Sequence, residues 1–142
     1  MEDSSPGACM PAAPSKAFRL TVVVFRTLMG LLFLWSSTAY FFDYIKVPEI
    51  PPGPLKTFND GMAAARYMLP TVKGLELLCS FAFLSGRLVP FAAVLVAPII
   101  VNILCVGIFL APPGLPFGIF LVIANGLVAW YHRERYVPLF RS

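Results

Sequence analysis

Histidine, cysteine and charged side chains are scarce in this sequence of 142 residues, and each shortage excludes a class of site. His132 is the only histidine, so the chain alone cannot supply a bis-histidine haem or a cluster of histidine metal ligands. The three cysteines, Cys9, Cys79 and Cys105, include no CxxC pair, which argues against a metal cluster and against a disulfide framework. The sequence also offers no glycine-rich phosphate loop and no hydrolytic triad. We therefore expect neither haem nor metal.

Charged residues make up 13% of the sequence, with 11 Lys and Arg against 7 Asp and Glu, for a formal net charge of +4. The basic residues are spread over the chain ends and the loops. A nucleic-acid-binding protein would gather them into one patch or stripe, so we expect no nucleic-acid partner. The positive excess is better explained by contact with lipid and by membrane topology.

Apolar residues are what the sequence has in abundance. They account for 58% of it, and the mean hydropathy is +0.80, outside the usual range of soluble domains. Residues 71–110 are almost continuously apolar, whereas a helix at a protein–water surface needs a polar face. The composition therefore predicts an integral membrane protein with the lipid bilayer as its environment.

The distribution of the apolar residues predicts an all-α four-helix bundle. We expect membrane spans over about residues 18–42, 67–85, 88–110 and 116–131, within one domain that covers residues 18–142. Residues 1–17 are rich in Pro, Ala and Ser, which predicts a disordered N-terminal tail. A longer loop separates the first two spans, and its second half could form a short interfacial helix.

The orientation in the membrane follows from the Lys and Arg residues on each side, because cytoplasmic segments carry the excess. The two termini and the turn after the second span hold six of them, against three in the longer loop. We therefore expect both termini in the cytoplasm and the longer loop outside. The two sets are Lys16, Arg19, Arg87, Arg133, Arg135 and Arg141, against Lys46, Lys56 and Arg66.

Five polar or charged residues lie within the predicted spans. A charge at mid-membrane depth costs roughly 2.5–3.5 kcal/mol, so such residues are functional candidates. At about 1.5 Å of helix rise per residue, Lys73 and Asn102 are expected at one depth in the membrane, Arg26 and Asn125 at a second depth, and Glu76 between the two. We interpret the five as one polar seam and as a candidate ligand-binding site, without assigning a catalytic residue. They are Lys73 with Asn102, Arg26 with Asn125, and Glu76.

Two interpretations of this seam stay open. With Arg26, Lys73 and Glu76 all ionised, the seam has one uncompensated positive charge. A neutral Lys73, water, a lipid phosphate, or an acidic or electron-rich ligand could remove it. Alternatively, the three residues form a static clamp that fixes helix packing. Pro98, one turn before Asn102, removes a backbone hydrogen bond and predicts a helix kink that could shape a pocket. Asn102 could equally serve as a hydrogen-bonding contact between helices.

Two segments resemble the DoxX family of small four-span membrane proteins: RTLMGLLFLWSS at residues 26–37, and YMLPTVKGLELLCSFAFLSGRLVPFAAVLVAPIIVNI at residues 67–103, with FLAPPGLP after it. The resemblance implies a multi-pass protein of the cytoplasmic (inner) membrane. The family takes its name from a membrane subunit of a thiosulfate:quinone oxidoreductase, so the resemblance also implies a link to quinone and redox complexes. By position it covers Arg26, Glu76, Pro98 and Asn102.

The function we expect is that of a redox-accessory or quinone-associated membrane subunit. Arg26, Lys73 and Asn102 would hydrogen-bond a quinone head group, Glu76 would accept a proton, and a redox partner protein would supply electrons. One alternative is a small transporter that uses Glu76 as its coupling carboxylate. Another is a non-catalytic membrane scaffold or assembly protein. A homo-oligomer is compatible with each of these, and the sequence does not establish an enzyme activity.

Overall fold

The computed structural model describes residues 13–46 and 48–137, and the regular structure in these two ranges is entirely helical. The all-α prediction is therefore confirmed. The longer helices are α1 (Lys16–Phe42), α2 (Pro54–Ala64), α3 (Met68–Ser85), α4 (Val89–Phe109) and α5 (Leu115–Tyr131). Two short 3-10 helices cover Pro112–Gly114 and Arg133–Arg135.

The first helix begins inside the segment that the sequence analysis assigned to a disordered tail. Ser15 caps α1, since its Oγ accepts a hydrogen bond from the backbone N–H of Phe18 at 3.2 Å. Residues 16 and 17 are consequently helical. Most of the predicted tail, with Cys9, lies outside the described residues, as does Arg141 at the other end of the chain.

Four helical segments are long and apolar enough to cross a membrane: Lys16–Phe42, Met68–Ser85, Val89–Phe109 and Pro112–Tyr131. Their ends lie close to the predicted span ends, because prolines and glycines at the turns mark the helix boundaries in the sequence. Large apolar side chains cover the outside of the bundle, where an aqueous protein would have polar ones. The chain is thus built as a multi-pass membrane protein.

The four long helices form a bundle in which each packs against two others. Helix α1 packs on α3 and α5, and α4 packs on α5 and α3. The centre is filled by apolar side chains that are almost completely buried, among them Met29, Phe33, Phe83, Val96 and Leu121. This packing fixes which residues of α1 and α3 face each other.

The two ends of the bundle differ. At one, which we call the terminal end, the start of α1 meets the end of α5, with the rings of Phe18 and Tyr131 5.9 Å apart. The turn between α3 and α4 also lies there, and Gly86 closes α3 with a left-handed φ of 72° that suits glycine. The opposite end, which we call the loop end, has the loop with α2. Helix α2 rests on α3 and falls within the second half of the loop, where the sequence analysis placed a short helix.

Candidate functional site

An ion pair with a buried carboxylate links two residues of α3. Lys73 and Glu76 are three positions apart, so both side chains lie on one face of the helix. The Lys73 Nζ lies 2.8 Å from the Glu76 Oε2, and it also donates a hydrogen bond of 2.8 Å to the Ser36 Oγ on α1. The Glu76 side chain is 4% exposed and the Lys73 side chain 21%. The carboxylate is therefore enclosed, while the ammonium reaches the edge of the bundle.

Further buried polar side chains belong to the same two helices, α1 and α3. Three polar or charged residues count as buried in the described part of the chain: Ser37 on α1, with Glu76 and Ser80 on α3. The Ser80 Oγ donates to the Leu77 carbonyl at 2.6 Å, whereas the Ser37 Oγ is buried and has no hydrogen-bond partner among the described residues. Buried hydroxyls are normally hydrogen-bonded, and functional sites are among the recognised exceptions. The almost completely buried polar residues of the described chain thus belong to α1 and α3.

A cleft of about 360 Å³ opens beside the Lys73 ammonium, towards the loop end of α1. Its volume falls in the lower part of the range of small-molecule sites, about 300–1,000 Å³. Trp35 and Tyr40 give it aromatic walls, and Asp43, which caps α1, contributes a carboxylate. The full lining is Trp35, Ser36, Ala39, Tyr40, Asp43, Ile45 and Lys73.

The charges around the cleft favour a neutral ligand. Glu76 compensates the charge of Lys73, so the pair as a whole is neutral. An ammonium has three N–H donors, and the hydrogen bonds found for Nζ among the described residues, to Ser36 and Glu76, use two. The third can serve a ligand in the cleft. Since Asp43 adds a negative charge to the lining, a neutral molecule with an acceptor oxygen fits better than an anion.

Arg26 lies away from the ion pair. Its guanidinium packs against Gly86 at the terminal end, where Nη1 would be 2.8 Å from a Cβ atom built on that glycine. Glu76 precedes Gly86 by ten residues, which is about 15 Å along the helix. The clamp of Arg26, Glu76 and Lys73 that the sequence left open is therefore reduced to the Lys73–Glu76 pair. The Arg26 Nε is buried and has no hydrogen-bond partner in the described structure.

The two asparagines also lie outside the cleft. The Asn125 Nδ2 donates to the Ala93 carbonyl at 3.1 Å and so connects α5 to α4. Asn102 is exposed on the outer face of α4, as is Pro98 one turn before it. Of the five residues of the predicted seam, the structure brings Lys73 and Glu76 together and leaves Arg26, Asn102 and Asn125 apart from them.

Ser36, Trp35 and Tyr40 are site residues that sequence reasoning did not select. A signal for Ser36 exists: in antiparallel neighbouring helices, the end of α1 must pass the start of α3, so a hydroxyl there can meet Lys73. Trp35 and Tyr40 lie near the end of the first span, where tryptophan and tyrosine are typical of the membrane interface. Their position therefore indicated contact with lipid and not a ligand site.

Metal-binding groups give no competing site. Within residues 13–46 and 48–137 no three His, Cys, Asp or Glu side chains come together as metal ligands would. Cys79 is buried and Cys105 is exposed, and both are free thiols. The ion pair and the cleft beside it combine a charged donor, aromatic walls and a carboxylate in one place.

No family model, curated protein or solved structure matches the chain. The resemblance to the DoxX family remains a prediction. Fold and function have to be argued from the helices, the ion pair and the cleft themselves.

Proposed function

We propose that this chain is a DoxX-like, redox-accessory membrane subunit that binds a quinone head group in the cleft beside Lys73. The observation that supports this most is the neutral Lys73–Glu76 pair, whose ammonium faces an aromatic-walled cleft. A quinone ring is flat and neutral and has carbonyl acceptors on opposite edges. Trp35 and Tyr40 offer faces for the ring, and Lys73 offers the N–H donor.

The position of the cleft suits a lipid-soluble ligand. Trp35 is 59% exposed on the outer surface of α1, so the cleft borders the surface that faces the acyl chains. The head group of a quinone could enter from the bilayer, and its isoprenoid tail could remain against apolar side chains of α1 such as Leu31, which is also exposed. Such a site needs no water-filled path.

The residues of the site can each take a role in quinone chemistry. A bound quinone supplies a centre that accepts two electrons and two protons. The Lys73 ammonium stabilises negative charge that develops on a carbonyl oxygen beside it. Glu76 accepts a hydrogen bond from the same Nζ and can exchange a proton with it. A redox partner protein would supply the two electrons and the aqueous phase the two protons, so the contribution of this chain is the head-group site and the exchange of protons at Lys73 and Glu76.

The orientation proposed for the chain places the cleft towards the outer side of the cytoplasmic membrane. Basic residues are more frequent at the terminal end than at the loop end, which supports cytoplasmic termini under the positive-inside rule. The cleft lies towards the loop end. The electron-donating partner is accordingly expected on the extracytoplasmic side.

Tryptophan fluorescence tests the proposed site directly. The chain has two tryptophans, Trp35 in the cleft lining and Trp130 near the terminal end of α5. In a Trp130→Phe variant, Trp35 is the single reporter, and a short-chain quinone should quench it along a saturable curve because a bound ring contacts the indole. Lys73→Met in the same background should weaken the apparent affinity about tenfold, the loss of one charged hydrogen bond.

The matched control is Trp35→Phe, in which only Trp130 reports. Its quenching should rise linearly with quinone concentration, as collisions within the micelle require. If Trp35 also shows only linear quenching, or if Lys73→Met leaves the curve unchanged, the cleft does not bind quinone at Lys73.

A second function is supported by the hydrogen bond from Lys73 to Ser36, which ties α3 to α1. If this contact and the ion pair serve only to hold the bundle together, the chain is a non-catalytic scaffold or assembly protein. The partner complex should then assemble normally around any variant that folds. Loss of quinone-dependent electron transfer in a Lys73→Met complex that assembles normally would favour the redox function over the scaffold.

A further inference from the structure

The outer face of α4 forms a continuous exposed stripe along the helix. Its residues recur at alternating intervals of three and four, the spacing by which two helices pack against each other in a left-handed pair. The residues are Phe91, Val94, Pro98, Val101, Cys105 and Ile108, all exposed. At 100° per residue, Asn102 projects from the same face.

Asn102 lies deep in the membrane-spanning part of this helix. It is about 20 Å from the first residue of α4 and about 10 Å from the last. None of the hydrogen bonds found among the described residues involves its side chain. Pro98 lacks an N–H, so the Val94 carbonyl on the same face also lacks its usual helical donor. Acyl chains can satisfy neither group.

We propose that this face of α4 is a homodimer interface within the membrane, with Asn102 of two copies hydrogen-bonded to each other. An asparagine amide is both donor and acceptor, so two of them are mutually complementary. Copies of one orientation are related by a twofold axis along the membrane normal, which places a residue near the axis opposite its own counterpart. A second copy therefore brings a polar group to the required depth, and asparagines form such contacts between membrane helices.

The proposed interface does not depend on the function proposed for the cleft. The cleft is lined by residues of α1, of the segment after it, and of α3, whereas the dimer face belongs to α4. Helix α4 packs on α3 and α5, and its outer face is directed away from both. A dimer through α4 consequently leaves the cleft open to ligand.

Disulfide cross-linking through Cys105 tests the proposal. Cys105 is exposed and lies one turn from Asn102 on the same face. A disulfide requires Cα atoms within about 7 Å, so it reports close contact of two copies. In a Cys9→Ser background, oxidation in native membranes should give a covalent dimer. Asn102→Leu should slow its formation about fivefold, and Asn102→Gln, which keeps the amide, should restore much of it.

The matched control moves the cysteine to the outer face of α5. Cys105→Ala combined with Ile123→Cys places a thiol at a position that is 53% exposed, and it measures random collisions. Cross-linking through Cys105 well above this baseline supports the interface. Cross-linking at the baseline, or at an equal rate in Asn102→Leu, overturns it. Because Asn102 faces outward, Asn102→Leu should leave the fold of each copy unchanged.

Discussion

Lys73 connects the enclosed and the accessible parts of the candidate site. Its ammonium holds the Glu76 carboxylate on one side and borders the cleft on the other, and Ser36 fixes its position between them. A lysine in so apolar a span would be costly without these contacts. Its presence is explained either by ligand binding or by helix packing, and substitutions can separate the two.

Removing one member of the ion pair should destabilise the protein more than removing both. Lys73→Met leaves the Glu76 carboxylate buried without a counter-charge and should cost about 2–4 kcal/mol of unfolding free energy, with the lower values favoured by the partial exposure of Lys73. Adding Glu76→Gln should recover part of that loss. Thermal unfolding in mild detergent of the two single variants and the double variant measures this coupling.

If the loss of unfolding free energy in the double variant equals the sum of the losses in the two single variants, Lys73 and Glu76 are not energetically coupled. Lys56 and Asp60 on α2 supply the reference, because they form an ion pair of the same length, 2.8 Å, at the exposed surface. Neutralising that pair should change stability by less than about 1 kcal/mol.

For single residues, the sequence predicted which side chains of one helix share a face, but not whether that face points into the bundle or towards lipid. Lys73 and Glu76 share a face by their spacing alone, and the structure pairs them. Asn102 was expected inside the bundle and is exposed. In a membrane helix the lipid face is as apolar as the buried face, so the amphipathic pattern that orients helices in water is missing.

At the element scale, α4 and α5 are held by close backbone contact. A Cβ atom on Gly118 would lie 3.1 Å from the Leu104 Cα, which is tighter than an ordinary contact, so the two helices would have to separate by a few tenths of an ångström. Gly118→Ala should therefore force α5 away from α4 and cost about 1–3 kcal/mol. The measurement is the thermal unfolding midpoint in detergent.

Gly126→Ala on the same helix is the matched control. A Cβ there meets nothing within 4 Å, and alanine has the better helix propensity, so stability should be equal or slightly higher. Equal destabilisation by both substitutions would show that α5 is sensitive to alanine in general and not to its contact with α4.

Tyr136 connects the segment after α5 to the start of α4 by a hydrogen bond. Its hydroxyl donates to the Pro90 carbonyl at 2.8 Å, and burial raises the pKa of the Tyr136 phenol above its ordinary value of 10.0. The phenol of the folded protein thus stays protonated to a higher pH than that of the unfolded protein. The stability that this adds is complete below pH 10 and is lost as the pH rises through the folded pKa.

Tyr136→Phe should cost about 1 kcal/mol at neutral pH, the value of one hydrogen bond. The substitution should also remove part of the loss of stability at alkaline pH. The unfolding midpoint should then fall less steeply above pH 10 than in the unsubstituted protein. Parallel pH profiles of the two proteins would show that Tyr136 contributes nothing to the alkaline transition.

For the whole molecule, the sequence predicted the all-α class and the positions of the long helices, because composition and proline punctuation are strong signals in a membrane protein. The start of α1 was the exception, since a serine cap extends the helix into a segment whose composition predicted disorder. The cleft could not be predicted, because it depends on the rotation of α1 about its own axis relative to α3. Ser36 and Trp35 acquire their roles only from that rotation.

Mass spectrometry of co-purifying lipophiles can detect a quinone head group bound in the proposed cleft beside Lys73. The protein would be isolated from its membrane in mild detergent, beside Lys73→Met and the control Arg26→Lys, whose side chain lies away from the cleft. We predict near-stoichiometric quinone with the unsubstituted protein and with Arg26→Lys, and depletion of about tenfold in Lys73→Met. Equal quinone in all three proteins, or none in any, would show that the cleft does not bind quinone through Lys73.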